Sequence, residues 1–109
     1  YFYLHTDPLS SGNEPVCMGS MYSSSQCNGI IHFPVTMRTS PSLVCTDAST
    51  HFRIYRNSGS DPVDNWSAGE LTKNAVEIYN NSDVSGTAGH AATITTDDAA
   101  ASISLNAEL

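Results

Sequence analysis

The stretch IIHFPVTMRTSPSLV, which spans residues 30–44, decides the fold that this sequence predicts. It has the densest apolar alternation in the chain and two of the five prolines. Every second side chain is apolar, at Ile31, Phe33, Val35 and Met37, so in a strand these four share one face. Pro34 lacks a backbone N–H, which places such a strand at a sheet edge or gives it a bulge. We therefore expect a β-strand here that anchors a sheet.

Short alternating runs separated by turn residues continue on both sides of this stretch. We expect about eight short strands, at the spacing of roughly 8–12 residues that is typical of sandwiches and barrels. They fall at residues 1–4, 14–22, 30–37, 43–45, 51–56, 73–80, 90–96 and 101–105. The predicted fold is therefore all-β, an antiparallel two-sheet sandwich that is jelly-roll-like.

Three local patterns refine this prediction. Asn28-Gly29 lies between two strand-like runs and indicates a hairpin turn. Residues 57–62 combine Asn, Ser, Gly, Asp and Pro, which predicts a loop. Residues 73–80 have some helix propensity, but Val76 and Ile78 alternate with polar or amphipathic neighbours, which favours a strand.

Length and composition favour one small β domain. A chain of 109 residues has room for one modest core, so we expect a single domain over residues 1–109. Hydrophobic residues make up 39% and charged residues 14%. Small polar residues are abundant, and this mix favours strands and turns over long helices. The chain begins with Tyr1 and not with Met, so we expect it to be a processed product or the C-terminal fragment of a longer protein.

The charge balance excludes two classes of partner. Four basic residues against eleven acidic residues give a formal net charge of −7. The clustered Lys and Arg of a nucleic-acid binder are missing, and an anionic membrane surface would repel the chain. Apolar runs are far shorter than the roughly 20 residues of a membrane span. We expect no nucleic acid partner and no membrane insertion.

Cysteines and histidines are spaced in a way that predicts no metal or other cofactor. Cys17, Cys27 and Cys45 have none of the short paired spacings of zinc sites. They are expected to be small buried side chains, although a Cys17–Cys27 disulfide remains open. Calcium in an Asp/Asn loop has no EF-hand pattern to support it. The four histidines are at least nineteen positions apart, at His5, His32, His51 and His90.

No catalytic constellation is recognisable in the sequence. The chain has no Gly-x-Ser-x-Gly elbow for a serine nucleophile. Two close carboxylate pairs, Asp61 with Asp64 and Asp97 with Asp98, lie in turn-like sequence, where Asp commonly accepts backbone hydrogen bonds. We therefore expect no enzymatic activity.

Aromatic side chains in polar loops are the best candidates for a binding site. Tyr55 and Trp66, with Asn57, Asp61 and Asp64 nearby in sequence, have the chemistry to stack on a sugar ring and bind its hydroxyls. The alternative is that Trp66 caps the core or packs at a subunit interface, since Trp is common in both places.

The segment FPVTMRTSPSL, residues 33–43, resembles the FPVxMRxxPxx segment of tailed-bacteriophage tail-fibre and related receptor-binding proteins. The aromatic start YFY at residues 1–3 and the ending NAEL at residues 106–109 also resemble the ends of that domain. The motif is structural and has no catalytic residues to transfer. Its positions are Phe33, Pro34, Met37, Arg38 and Pro41, and we expect the fork of Arg38 to hold carboxylates or loop carbonyls.

The resemblance implies a β-sandwich, usually a homotrimer, at the exposed end of a virion fibre among other virion proteins. Such a tip domain attaches to a glycan or protein on the host cell surface. Its localisation is the virion, assembled in the host bacterial cytoplasm, where cysteines stay reduced.

Two other functions remain open. One is a non-binding structural domain of the virion, such as a capsid decoration or fibre-capping protein. The other is a depolymerase, although that class needs a much larger solenoid and clustered carboxylates.

Overall fold

The structure, a computed structural model, describes residues 2–5, 15–33, 36–57, 59–98 and 100–106. These residues form ten β-strands and no helix. Most strands are short, as alternating sequence with frequent turn residues requires. The strands are β1 (Phe2–His5), β2 (Pro15–Ser23), β3 (Gln26–His32), β4 (Ser42–Cys45), β5 (Phe52–Arg56), β6 (Gly59–Val63), β7 (Ser67–Leu71), β8 (Ala75–Asn80), β9 (Ala91–Thr96) and β10 (Ser102–Asn106).

These strands form two antiparallel sheets. The large sheet has seven strands in the order β6-β5-β9-β2-β3-β8-β7, and the small sheet has three in the order β1-β10-β4. All strand pairings between described residues are antiparallel. The predicted all-β antiparallel two-sheet sandwich is confirmed, with ten described strands where the sequence predicted about eight.

One hydrophobic core joins the two sheets. Strands β5 and β8, and β9 as far as Ile94, alternate buried and more exposed side chains, so each turns one apolar face inward. The small sheet contributes Ile103 and Leu105 of β10, which are almost fully buried. The largest inward side chains of the large sheet are Phe52, Met21, Ile54, Ile78 and Ile94.

The predicted strand at residues 30–37 is shorter than expected. Strand β3 ends at His32, and the chain beyond it is not paired as a strand. Phe33 and Met37 are buried as the alternation predicted, but their backbone N–H groups donate to the carbonyls of Asn74 (2.9 Å) and Lys73 (2.8 Å). The segment is thus held by the turn between β7 and β8, while the motif position Pro34 and its neighbour at position 35 lie outside the described residues.

Asn28-Gly29 does not form the hairpin turn that the sequence predicted. The turn between β2 and β3 is at residues 24–25, and Asn28-Gly29 lies inside β3. A Cβ on Gly29 would lie 2.5 Å from Cδ1 of Ile94 and 2.9 Å from Sγ of Cys17. This glycine is therefore needed for close packing inside the sheet and not for turning the chain.

The predicted loop at residues 57–62 is largely the strand β6. It pairs with β5 from Phe52↔Val63 to Arg56↔Gly59, and the turn begins at Asn57, whose φ is +44°. Pro62 is tolerated in β6 because β6 is the outermost strand of the large sheet. At residues 73–80 the preference for a strand is confirmed by β8, with Val76 and Ile78 buried.

Candidate functional site

Trp66 lies in the core and not on a binding surface. Its side chain is 3% exposed, and its ring meets Phe52 edge-on at a centroid distance of 6.5 Å. The indole N–H has no hydrogen-bond partner. A side chain buried this deeply does not contact a receptor. Trp66 therefore has the core position that the sequence analysis gave as the alternative to a binding role.

Asp61 belongs to an ion pair that ties a loop to a hairpin. Its carboxylate accepts from Nη2 of Arg56 at 2.7 Å and from the backbone N–H of Ser85 at 3.0 Å. The guanidinium Nε of Arg56 also donates to the carbonyl of Ser85. Both members of the pair are mostly buried, so these groups are occupied with holding the loop at residues 81–90.

Asp64 also has structural partners. Its carboxylate accepts from the backbone N–H of Thr50 at 3.2 Å, and its own N–H donates to Asp83 at 3.1 Å. Of the five predicted binding residues, Tyr55 and Asn57 are the exposed ones, while Asp61 and Asp64 are half-buried. The structure thus brings Tyr55 and Asn57 together and places the other three elsewhere.

The side of the large sheet that faces away from the core, here called the outer face, has an unusual number of apolar side chains. Five large hydrophobic side chains are exposed among the described residues, and four of them lie here. The register places Tyr55 beside Thr93 and Thr93 beside Met18, which forms one row across β5, β9 and β2. The four exposed side chains are Met18 (63%), Tyr22 (71%), Ile30 (51%) and Tyr55 (41%).

At the β5–β6 side of the outer face is a shallow depression of about 570 Å³, here called the Tyr55 depression. The Tyr55 ring offers a flat apolar face and a hydroxyl, and Asn57 offers an amide. The hydroxyl of Ser60 accepts from Nη1 of Arg53 at 3.1 Å and keeps its proton to donate, and the hydroxyl of Thr93 donates to Sδ of Met18 at 3.5 Å and keeps its lone pairs to accept. Arg56 also borders the depression, but its guanidinium is held by Asp61 and Ser85. The other lining side chains with functional groups are Met18, Asn57, Ser60 and Thr93.

A second depression of about 280 Å³ lies nearer the centre of the outer face and shares Met18 with the first. Its apolar lining comes from Met18, Tyr22 and Ile30. Its polar lining is internally satisfied, because Asn28 donates to Glu77 at 3.4 Å and accepts from Gln26 at 2.9 Å. The central part of the outer face is therefore mainly an apolar surface.

Burial favours the neutral form of the three cysteine thiols. All three are free thiols, and burial raises the pKa of Cys17 to about 12 and the pKa values of Cys27 and Cys45 to about 11. The neutral thiol is the unreactive form. In the described part of the chain, no three His, Cys, Asp or Glu side chains gather to hold a metal ion, and no helix is long and apolar enough to cross a bilayer.

The structural motif positions are mostly buried. Phe33, Met37 and Pro41 pack inward, which suits a scaffold. Arg38 is exposed and makes no ion pair with any carboxylate of the described residues, so the carboxylate contacts predicted for its fork are not found.

Sequence reasoning missed the polar and apolar residues of the outer face. Met18, Ser60 and Thr93 line the Tyr55 depression without standing out in the sequence. One pattern could have indicated this face: β2 has apolar residues on both faces, with Met18 and Tyr22 on one and Met21 on the other. Both faces of such a strand are buried only if a layer of structure packs on each of them. A small domain has only one core, so one apolar face of β2 is left exposed.

A scan against protein-family models found no match for this chain, and searches of curated proteins and of solved structures found none either.

Proposed function

We propose that this chain is a non-enzymatic binding domain that attaches to a glycan on a cell surface through the Tyr55 depression. The observation that carries the proposal is the grouping of an exposed aromatic ring with one amide and two hydroxyls in an open depression of about 570 Å³. An aromatic face stacks on the apolar face of a sugar ring, and adaptable polar neighbours bind its hydroxyls. The shallow shape suits a saccharide on a surface.

Charge favours a neutral saccharide. The formal net charge of the chain is −7, so an anionic polymer is repelled at long range. The one guanidinium at the depression is already paired with Asp61 and hydrogen-bonded to Ser85. A neutral glycan avoids both the repulsion and the need for a free cation.

The resemblance of residues 33–43 to phage fibre domains supports a place for this domain in a virion, as a tail-fibre or receptor-binding tip. The burial of Phe33, Met37 and Pro41 is what a scaffold motif requires. In such a particle the domain associates with other virion proteins as a homotrimer. Several weak sites on one particle then gain strength by avidity.

A second candidate is a structural domain of the virion, a capsid decoration or fibre-capping protein that binds no receptor. The exposed apolar outer face favours it, because Met18, Tyr22 and Ile30 suit a contact with another subunit. This function needs no ligand in the Tyr55 depression.

The two candidates are separated by a glycan array and by adsorption to host cells. Tyr55→Ala removes the stacking ring, and Asn57→Gly removes the amide while tolerating the positive φ at that position. We expect each to weaken glycan binding about tenfold, equivalent to about 1.4 kcal/mol. Val44→Ala is the matched control, since Val44 is exposed on the small sheet, away from the depression.

Binding that survives Tyr55→Ala would exclude the Tyr55 depression as the site. An array on which the unmodified chain binds nothing would favour the structural candidate. Both variants alter exposed side chains, so unfolding in urea should be within about 0.5 kcal/mol of the original chain.

A further inference from the structure

Two carboxylates lie beside exposed apolar side chains at the β7 end of the outer face. Ile30 of β3 is paired directly with Glu77 of β8, and such cross-strand partners have Cβ atoms about 5 Å apart. On the side towards β2, the depression of about 280 Å³ has Tyr22, Ile30 and Glu77 in its lining. On the side towards β7, a third depression of about 230 Å³ has Ile30, Glu70 and Glu77 in its lining. These four residues, Tyr22, Ile30, Glu70 and Glu77, are here called the mixed patch.

Glu70 faces the same depression as Glu77 because β7 is irregular. The register between β7 and β8 shifts between Ala68 and Leu71, and such a bulge re-aims a side chain. The carboxylate of Glu77 lies over Gly69 of β7, where a Cβ would be 2.5 Å from its Oε1. Both carboxylates are thus turned to one surface.

The charges of these two carboxylates are not neutralised by the described part of the chain. Neither Glu70 nor Glu77 makes an ion pair with a Lys or Arg there, and the two ion pairs that are present belong to arginines of β5. Glu77 accepts one long hydrogen bond, of 3.4 Å, from Nδ2 of Asn28. A carboxylate has about four acceptor sites, and an amide has no charge to offer. The negative charge of the mixed patch is therefore left for a cation from outside.

Charge complementarity selects a basic partner. The formal net charge of −7 attracts a cationic partner at long range and repels a second copy of the chain. The side chains of Arg and Lys also match the patch in detail, because their alkyl stems cover apolar surface while their charged ends stay beside a carboxylate. A stem on Ile30 brings its charged end to Glu77 on the next strand, and an Arg can stack on the exposed ring of Tyr22.

The width of the mixed patch fits one extended segment. Strands β2, β3, β8 and β7 are consecutive in the sheet, so the patch is three strand spacings wide, or about 14 Å. In an extended segment, residues i, i+2 and i+4 point the same way and also span about 14 Å. Three basic side chains at alternate positions of one segment therefore reach from Tyr22 to Glu70.

We propose that the mixed patch docks an extended segment of a partner protein that has Arg or Lys at alternate positions. The proposal goes beyond the glycan site and does not rest on it, since none of the four residues of the patch lines the Tyr55 depression. It is compatible with both candidate functions, because either places the domain among other proteins.

The acetylated and amidated peptide Arg-Ser-Arg-Ser-Arg is the probe, titrated into the whole chain and followed by NMR of the backbone amides. We expect saturable shifts at Tyr22, Ile30 and Glu77, and an affinity that falls as salt is added. Glu77→Gln retains an acceptor for Asn28 but removes the charge, and it should weaken peptide binding about fivefold, as should Glu70→Gln.

The matched control is Asp47→Asn, which removes one charge at an exposed residue beyond β4 of the small sheet. It should change the affinity less than about twofold, because the ion pairs of the patch remain. Ile30→Ser removes the apolar surface under the stems and should weaken binding about threefold.

A peptide that causes no shifts at about 1 mM overturns the proposal. So does equal weakening by Asp47→Asn and Glu77→Gln, which would mean attraction to the overall charge. Spermidine that binds as tightly as the peptide would assign the patch to a small cation, and self-association lost in Ile30→Ser would assign it to a second copy; either result overturns the proposal. Tyr55→Ala should leave peptide binding unchanged, and Glu77→Gln should leave glycan binding unchanged, so the two proposals can fail independently.

Discussion

Asn80, the last residue of β8, is 4% exposed, and its amide makes four hydrogen bonds. Its Nδ2 donates to the carbonyl of Asn65 and to Oδ2 of Asp83, both at 3.0 Å. Its Oδ1 accepts from the N–H groups of Ser82 (3.0 Å) and Asp83 (2.9 Å). One buried side chain therefore holds the loop after β8 and the segment before β7 together.

Replacing Asn80 with Ala should lower the free energy of unfolding by about 2–3 kcal/mol, because four hydrogen bonds of a buried side chain are lost and partly buried backbone groups of Asn65 and Asp83 lose their partner. Urea unfolding followed by circular dichroism measures the change. Asn81→Ala is the matched control, since Asn81 is exposed and adjacent; its effect should be below about 0.5 kcal/mol. Equal effects of the two substitutions would mean that the hydrogen bonds of Asn80 are not what stabilises these loops.

Trp66 shows, also at the scale of one residue, that the role of an aromatic side chain cannot be assigned from its neighbours in sequence. In sequence it stands between Asn65 and Ser67, a polar setting that suits a binding loop. In the fold it packs against Phe52, and its N–H remains unpaired. Loss of adsorption in a Trp66 variant would therefore reflect damage to the core, which is why Tyr55 is the residue to replace in a binding test.

At the scale of the element, the β2–β3 hairpin depends on two glycines that face each other across the pair. A Cβ on Gly19 would lie 2.0 Å from the carbonyl oxygen of Asn28, which belongs to the backbone and cannot move aside. Gly69 in β7 differs, because a Cβ there would meet the carboxylate end of Glu77 at 2.5 Å. That end belongs to a flexible side chain and can move.

Gly19→Ala should lower the free energy of unfolding by at least about 2 kcal/mol, because the β2–β3 pairing must separate to make room. Gly69→Ala makes the same chemical change in a strand and should cost less than about 1 kcal/mol. Thermal unfolding of the two variants side by side gives the comparison. If Gly19→Ala unfolds at the same temperature as Gly69→Ala, the close approach of β2 and β3 is not as tight as described.

On the scale of the whole molecule, the three cysteine thiols, one buried and two half-buried, link stability to alkaline pH. Burial raises the pKa of Cys17 from 9.0 to about 12, and those of Cys27 and Cys45 to about 11. Below pH 9 the thiols are protonated in both the folded and the unfolded chain, so their contribution to stability is fully present. Above pH 9 the thiols ionise in the unfolded chain before they ionise in the folded chain. This ionisation stabilises the unfolded state relative to the folded state.

The free energy of unfolding should therefore fall as the pH rises from 9 towards 11–12. The limiting slope is about 1.4 kcal/mol per pH unit for each thiol, and it extends to the highest pH for Cys17, whose pKa is raised most. Urea titrations at several pH values measure it, with the triple variant Cys17→Ala, Cys27→Ala, Cys45→Ala as control. The same loss of stability in both chains would assign the effect to other groups, such as the tyrosines.

Several elements were predictable because their cause is local. Phe52 and Ile54 in β5, and Ala92 and Ile94 in β9, alternate with more polar or exposed neighbours, and all four are buried in the strands predicted at residues 51–56 and 90–96. The extent of β3 was not predictable, because Phe33 and Met37 keep the alternation of a strand while their N–H groups bond to the turn at Lys73 and Asn74. Burial follows from the side chains, but strand pairing depends on which backbone is nearby.

The candidate site was predictable only in part. Tyr55 and Asn57 were found because an aromatic residue followed by turn residues is visible in a line of sequence. Met18 and Thr93 come to the same depression from β2 and β9, and only the pairing of β9 with both β5 and β2 brings them there. Residues 18 and 93 are too far apart in the chain for any local pattern to join them.

By itself, the sequence determined that this protein is an acidic, all-β domain built of two antiparallel sheets, because period-two alternation and turn residues are local properties of the chain. Tertiary structure alone decided which apolar face of β2 and β3 is covered. Cys17 and Met21 on one face and Met18 and Tyr22 on the other are similarly apolar, and the small sheet covers only one side of the large sheet. The side left open holds Tyr55 and the other exposed apolar side chains of the outer face, and there the proposed binding takes place.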